Sequence, residues 1–156
     1  MGDRRQAREL ALMLLYTVDV SKVNVDQALE RFFLAFDAGE ALDPPPPFTG
    51  EIGRPDAWAE PVRAYAEVLV RGVANNLEAI DAEIQAVSAH WRLERMARVD
   101  KNLLRLTTYE LLHQAEEVPR KVAINEAVDI AKRFGTQESP AFVNGILDRV
   151  GRRGSG

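Results

Sequence analysis

Apolar residues recur along most of the chain at spacings of three and four, the signature of helices with one buried face. A first helix is predicted over residues 4–20, with Ala7, Leu10, Ala11, Leu14, Leu15 and Val18 on one side and Asp3 placed to cap it. A second is predicted over 25–36, with Leu29, Phe32, Phe33 and Phe36 forming its stripe; Asn24 and Gln27 have capping-box spacing. From 37 to 55 the pattern breaks at Gly39, the four prolines at 44–47, Gly50, Gly53 and Pro55. That run is read as one surface loop, stiffened toward polyproline II and acting as a connector. Val62, Ala66, Leu69, Val73, Leu77, Ile80, Ile84 and Val87 then predict a continuous third helix, entered at Pro61 and about 40 Å long at 1.5 Å per residue. After a turn at 90–93 comes a helix over 96–115, with Val99, Leu103, Leu104, Leu106, Leu111 and Leu112 making a broad apolar surface. Pro119 ends that stretch. Ile124, Ala127, Val128, Ala131 and Phe134 mark a helix over 122–134, stopped at Gly135. Ser139 and Pro140 open the last helix, whose buried face is Phe142, Val143, Ile146, Leu147 and Val150.

No stretch alternates as a strand would. The expected fold class is therefore all-α, a compact bundle of about six to seven helices. Residues 1–156 form a single domain, with the proline loop as a surface excursion and 151–156 as a loose tail. Hydrophobic residues are 46% of the chain, enough for a core at this length. The sustained seam of the third helix could instead close a homodimer as a coiled coil. The apolar faces of the other helices favour packing inside one bundle.

Composition narrows the chemistry. There is no cysteine, so no disulfide, thiolate zinc site or cysteine nucleophile is available. No apolar run reaches the roughly 20 residues that span a bilayer, and no signal-like stretch follows the charged N-terminus. A cytoplasmic, soluble protein is expected. His90 and His113 lack metal-ligand spacing, and no glycine-rich phosphate loop or nucleophile elbow is present, so no enzyme, metal or cofactor is expected. The net charge of −4 is the wrong sign for a general nucleic-acid binder, so RNA binding would need a local patch.

Two such patches exist. Arg4, Arg5 and Arg8 cluster at the start of the first helix, with Tyr16 two turns further along. Guanidinium groups with an aromatic ring can contact phosphates and stack on an unpaired base. The competing reading is a solubilising helix end with Tyr16 partly in the core. Arg92, Arg95, Arg98, Lys101 and Arg105 would share a flank if one helix carried them, and a solvated face is the simpler account. Asn144 beside Gly145, inside an apolar pattern, is read as a close helix-on-helix approach.

The segments KVAINEAVDIAKRFG at 121–135 and SPAFVNGILD at 139–148 carry a resemblance that periodicity does not. With VDKNLLRLTTYEL at 99–111 and RRQARELA at 4–11, they resemble the NusB family over nearly the whole chain except the proline loop. The resemblance implies two small helical subdomains and a non-catalytic antitermination factor. Such a factor binds the boxA element of nascent ribosomal RNA together with a NusE-type small-subunit ribosomal protein, within a transcription elongation complex. By match, Arg4, Arg5, Arg8 and Tyr16 would face RNA, Gln137, Glu138 and Phe142 would border that surface, and Glu94 and Asp100 would lie toward the protein partner. A fusion to RNA cytosine methyltransferases, also met with NusB-like domains, would require an α/β cofactor domain that residues 1–156 do not contain. A purely structural interaction module, dimeric through the third helix, is the other competitor.

Overall fold

The computed structural model describes residues 3–40, 45–48 and 58–155. Among them the chain forms seven α-helices: α1 (Asp3–Ser21), α2 (Val25–Asp37), α3 (Glu60–Asn75), α4 (Leu77–Val87), α5 (Arg98–His113), α6 (Arg120–Phe134) and α7 (Ser139–Ser155). A 3-10 turn, Leu93–Arg95, precedes α5. No strand occurs among the described residues, so the all-α expectation holds. The helices fall into two compact units, residues 1–71 and 72–156.

In the first unit α1 packs on α2, burying Leu10, Leu12, Leu29 and Phe32. The predicted cap of α2 forms: Asn24 Oδ1 accepts from the Gln27 N–H at 2.8 Å. Two aromatic anchors that periodicity did not mark complete this core. Trp58 lies with its ring 4.7 Å from that of Phe32. Phe48 is fully buried and is held by a turn in which its N–H donates to the Pro45 carbonyl at 2.9 Å. The proline segment is thus more than a connector; its polyproline reading falls partly outside the described residues.

In the second unit α5 is the central helix, packed against α4, α6 and α7, with Leu103, Leu104 and Leu106 wholly buried. Gly72 and Gly151 mark the close approaches here. A Cβ at Gly72 would run into the Tyr109 ring, and one at Gly151 would come within 2.7 Å of Arg120 Cδ. Gly145, expected to mark such an approach, would leave an added Cβ with nothing within 4 Å, and Asn144 is exposed. That expectation is corrected: the glycine interrupts the pattern on an open side of α7. Gly135 does stop α6, but in extended backbone rather than the left-handed form; a Cβ there would meet Ser139 Oγ at 2.5 Å.

The single long helix predicted over the seam is two helices, broken at Asn76. The Asn76 side-chain amide donates to the Gly72 carbonyl at 2.8 Å, the acceptor its own N–H would use in a continuous helix. That N–H bonds Val73 instead, at 3.2 Å, and the Asn76 carbonyl restarts the ladder by accepting from Ile80 at 2.9 Å. A short amide competing for backbone groups is the reason such residues interrupt helices. Of the seam residues, Val62, Ala66, Leu69, Val73, Ile80 and Ile84 are buried within the chain, Val87 is half-buried, and Leu77, just past the break, is 40% exposed.

Candidate nucleic-acid interface

In the first unit two of the three α1 arginines gather on one ring. Arg4 and Arg8, one turn apart, lie with their guanidinium carbons 3.8 Å and 6.0 Å from the ring centre of Tyr65 on α3. The face of an aromatic ring attracts such a cation, most strongly where water is excluded. Arg4 is exposed, Arg5 half-buried, and Arg8 only 2% exposed. The sequence grouped all three on one outward surface; the structure places Arg8 out of solvent. Tyr65 went unnoticed in the sequence because it lies between the seam positions Val62 and Ala66. Tyr16 is half-buried, its ring 5.2 Å from Phe48 and nearly perpendicular to it. Its contact therefore depends on the proline segment.

In the second unit several of the candidate residues converge on the start of α7. Ser139, 1% exposed, hydrogen-bonds the Asp100 side chain and also accepts from the Thr136 N–H at 2.9 Å. Asp100 is 8% exposed, and its Oδ1 has no hydrogen-bond partner. Burial pushes its carboxyl above the usual range, and the Ser139 hydrogen bond opposes this in part. Asp100 is thus largely enclosed rather than displayed. Glu138, the neighbour of Ser139, is exposed and touches the Thr136 hydroxyl at 3.3 Å. Phe142, one turn on, meets Trp91 edge-on with ring centres 5.8 Å apart. Trp91 leads through Arg92 to Glu94, an exposed pair at 3.9 Å. Trp91 was missed because an isolated aromatic in a turn belongs to no period.

The second basic run does not form one flank. Arg92 precedes the 3-10 turn, Arg95 closes it, and Arg98 opens α5. Arg105 is committed internally: Nε and Nη2 donate to the two carboxylate oxygens of Asp81 at 2.8 and 2.9 Å, and Nη1 donates to Asn102 at 3.2 Å. Among the described residues no group of His, Asp and Glu is placed to hold a metal ion, and no helix is long and apolar enough to cross a membrane.

Comparison with known proteins covers this arrangement along nearly the whole chain. The NusB family model matches residues 5–152. The transcription antitermination protein NusB of Syntrophotalea carbinolica is 50% identical, over 97% of this chain and 93% of its own. The structure of T. maritima NusB superposes with a TM-score of 0.76 at 33% identity, covering 97% of this chain and 92% of that one. A crystal structure of the antitermination factors NusB and NusE in complex with dsRNA shares the fold, with a TM-score of 0.72 at 24% identity over 98% of each chain. With a match that runs from the α1 arginines into the last turns of α7, and with half of all positions shared with one relative, the chain belongs to the NusB family.

Proposed function

We propose that this protein is a transcription antitermination factor that binds boxA-type RNA in nascent ribosomal RNA transcripts together with a NusE-type ribosomal protein, and so keeps the elongating polymerase processive. The observation that carries the reading is the stack of Arg4 and Arg8 on Tyr65. It concentrates positive charge at one helix end of a chain whose net charge is −4. The relatives' antitermination role supports the same reading, as does the NusB–NusE complex with dsRNA, a protein of this fold with both partner classes bound.

The work is binding, with no bond made or broken. Arg4 and Arg5 supply salt-dependent phosphate contacts. Arg8, buried one turn from Arg4, holds Tyr65 in place for the Arg4 guanidinium. Tyr16 offers ring surface to an unpaired base, steadied by Phe48. Glu138 and Phe142 border the RNA in the second unit, and Glu94 lies on the side that meets the protein partner, with Asp100 shaping the α5 and α7 ends behind it. RNA and partner each favour the other's binding, a coupling that works in both directions.

The test is fluorescence anisotropy of a labelled boxA-like RNA, with a scrambled RNA alongside, titrated with the protein alone and with the NusE-type partner at two salt concentrations. The expected result is a preference for boxA, tightening with partner. In Arg4→Ala/Arg5→Ala, the slope of log affinity against log salt should shrink by about 1 to 1.5, two phosphate contacts at roughly 0.7 each. Equal or absent binding of both RNAs with the partner present would sink the reading and leave an interaction module.

A further inference from the structure

Trp91 is 61% exposed, although Ser88, Leu93 and Met96 around it are buried. A single exposed apolar residue is ordinary; Trp91 differs in that its backbone is tied down on both sides and its ring is backed by Phe142. The segment is tied down by hydrogen bonds. The Trp91 N–H donates to the Ser88 carbonyl at 2.8 Å, and the Trp91 carbonyl accepts from Gln85 Nε2 at 2.9 Å. Gln85 Oε1 accepts from the Leu93 N–H at 3.0 Å, and Ser88 Oγ donates back to the Ile84 carbonyl at 2.8 Å. The backbone on both sides of the indole is thus tied to the end of α4. Phe142 buttresses the ring nearly at right angles, at 84°.

Two arginines lie on the segments that carry the ring and its buttress. Arg149 lies two turns along α7 from Phe142, on the same side of the helix. It is exposed and donates one N–H from Nη1 to the Val87 carbonyl at 3.2 Å. A guanidinium has five donors, so most remain for another acceptor. Arg92, next in sequence to Trp91, is 71% exposed in its side chain. An open aromatic ring with one arginine next to it in sequence and another on the helix of its buttress has the groups that take single-stranded nucleic acid, with the base on the ring and the phosphates on the cations.

We infer that Trp91, backed by Phe142, is a stacking platform for one unpaired RNA base, and that Arg149 contacts a phosphate of the same strand. The platform adds an RNA contact in the second unit to those of the α1 arginines in the first, and it rests on the RNA-binding reading above. It also explains the clamp of Gln85 and Ser88: stacking on a ring already immobilised loses less entropy than stacking on a mobile one.

The chain has two tryptophans, and Trp58 is only 4% exposed, so quenching by RNA reports on Trp91. Unlabelled boxA-like RNA is titrated into the protein with a tryptophan-free NusE-type partner while tryptophan emission is read, and anisotropy of labelled RNA is followed in parallel. RNA is expected to quench the exposed emission. Trp91→Ala should weaken binding about tenfold, whereas Trp91→Phe should keep most of the affinity and lose the quenching. Arg149→Gln should reduce the salt slope by about 0.7. RNA binding by anisotropy with unchanged emission and full affinity in Trp91→Ala overturns the platform and leaves the RNA-binding reading standing. Emission that changes on adding partner alone and not on adding RNA overturns it in favour of a protein contact. Absence of RNA binding in every arm overturns both readings.

Discussion

Asp100 shows how one residue can couple pH to stability. Its place in the first turn of α5 favours the carboxylate, but removal from water dominates and raises its pKa. The folded chain therefore holds the proton more tightly than the unfolded chain does. The ionised carboxyl opposes folding at neutral pH, and that penalty fades as pH falls through the raised pKa toward the unfolded value of about 4. Asp100→Asn, which keeps an acceptor for Ser139, should raise Tm at neutral pH, with the gain shrinking in acid. A gain that does not vary with pH across thermal melts would contradict this. Gly72 makes a steric prediction. Gly72→Ala forces a methyl group against the Tyr109 ring, which has His113 stacked on it at 5.0 Å. Overpacking of this kind costs about 1–3 kcal/mol, to be read from urea midpoints. Gly145→Ala meets open space and should stabilise α7 by about 0.5–1 kcal/mol through helix propensity, measured in the same way.

At the scale of elements, the break at Asn76 and the anchored proline segment are what the apolar pattern did not predict. Both halves of the long seam are helical because the spacing of apolar residues is right on each side. The junction is decided by a single side-chain amide capturing the Gly72 carbonyl, an interaction with no periodic signature. In the proline segment the glycines and prolines erase any period, so a buried residue there looks like every other loop residue. Phe48 is nevertheless fully enclosed and meets Tyr16. Phe48→Ala is expected to cost about 3–5 kcal/mol, as other buried aromatic truncations do. It should also weaken RNA binding by freeing Tyr16. A urea denaturation midpoint near that of the unaltered protein would contradict this anchoring.

For the whole molecule, a net charge of −4 sets the background against which a few arginines act. Like-charge repulsion limits indiscriminate attachment to RNA. If Arg4, Arg5 and Arg149 are the phosphate contacts, the slope of log affinity against log salt for the protein alone should be about −2, at roughly 0.7 per contact. A slope of much greater magnitude would mean a broader basic surface than these residues provide. Each of the two units has its own buried core, with α1 on α2 in one and α5 amid α4, α6 and α7 in the other.

The sequence by itself determined the fold class, the helical stretches to within a few residues at most ends, and the family. A buried helical face must repeat every three to four residues, and the α6–α7 segments are long enough to be distinctive. It also located the α1 arginines, since three guanidinium groups so close together are legible as charge. It did not tell which of them meets water. Arg8 is covered and Arg4 is not, and the ring that both lie against, Tyr65, comes from a helix far along the chain. The enclosure of Asp100 beside Ser139 and the meeting of Trp91 with Phe142 were likewise decided by tertiary structure alone. Exposure is a property of what packs over a residue, and those neighbours come from distant stretches of chain that local spacing cannot bring together.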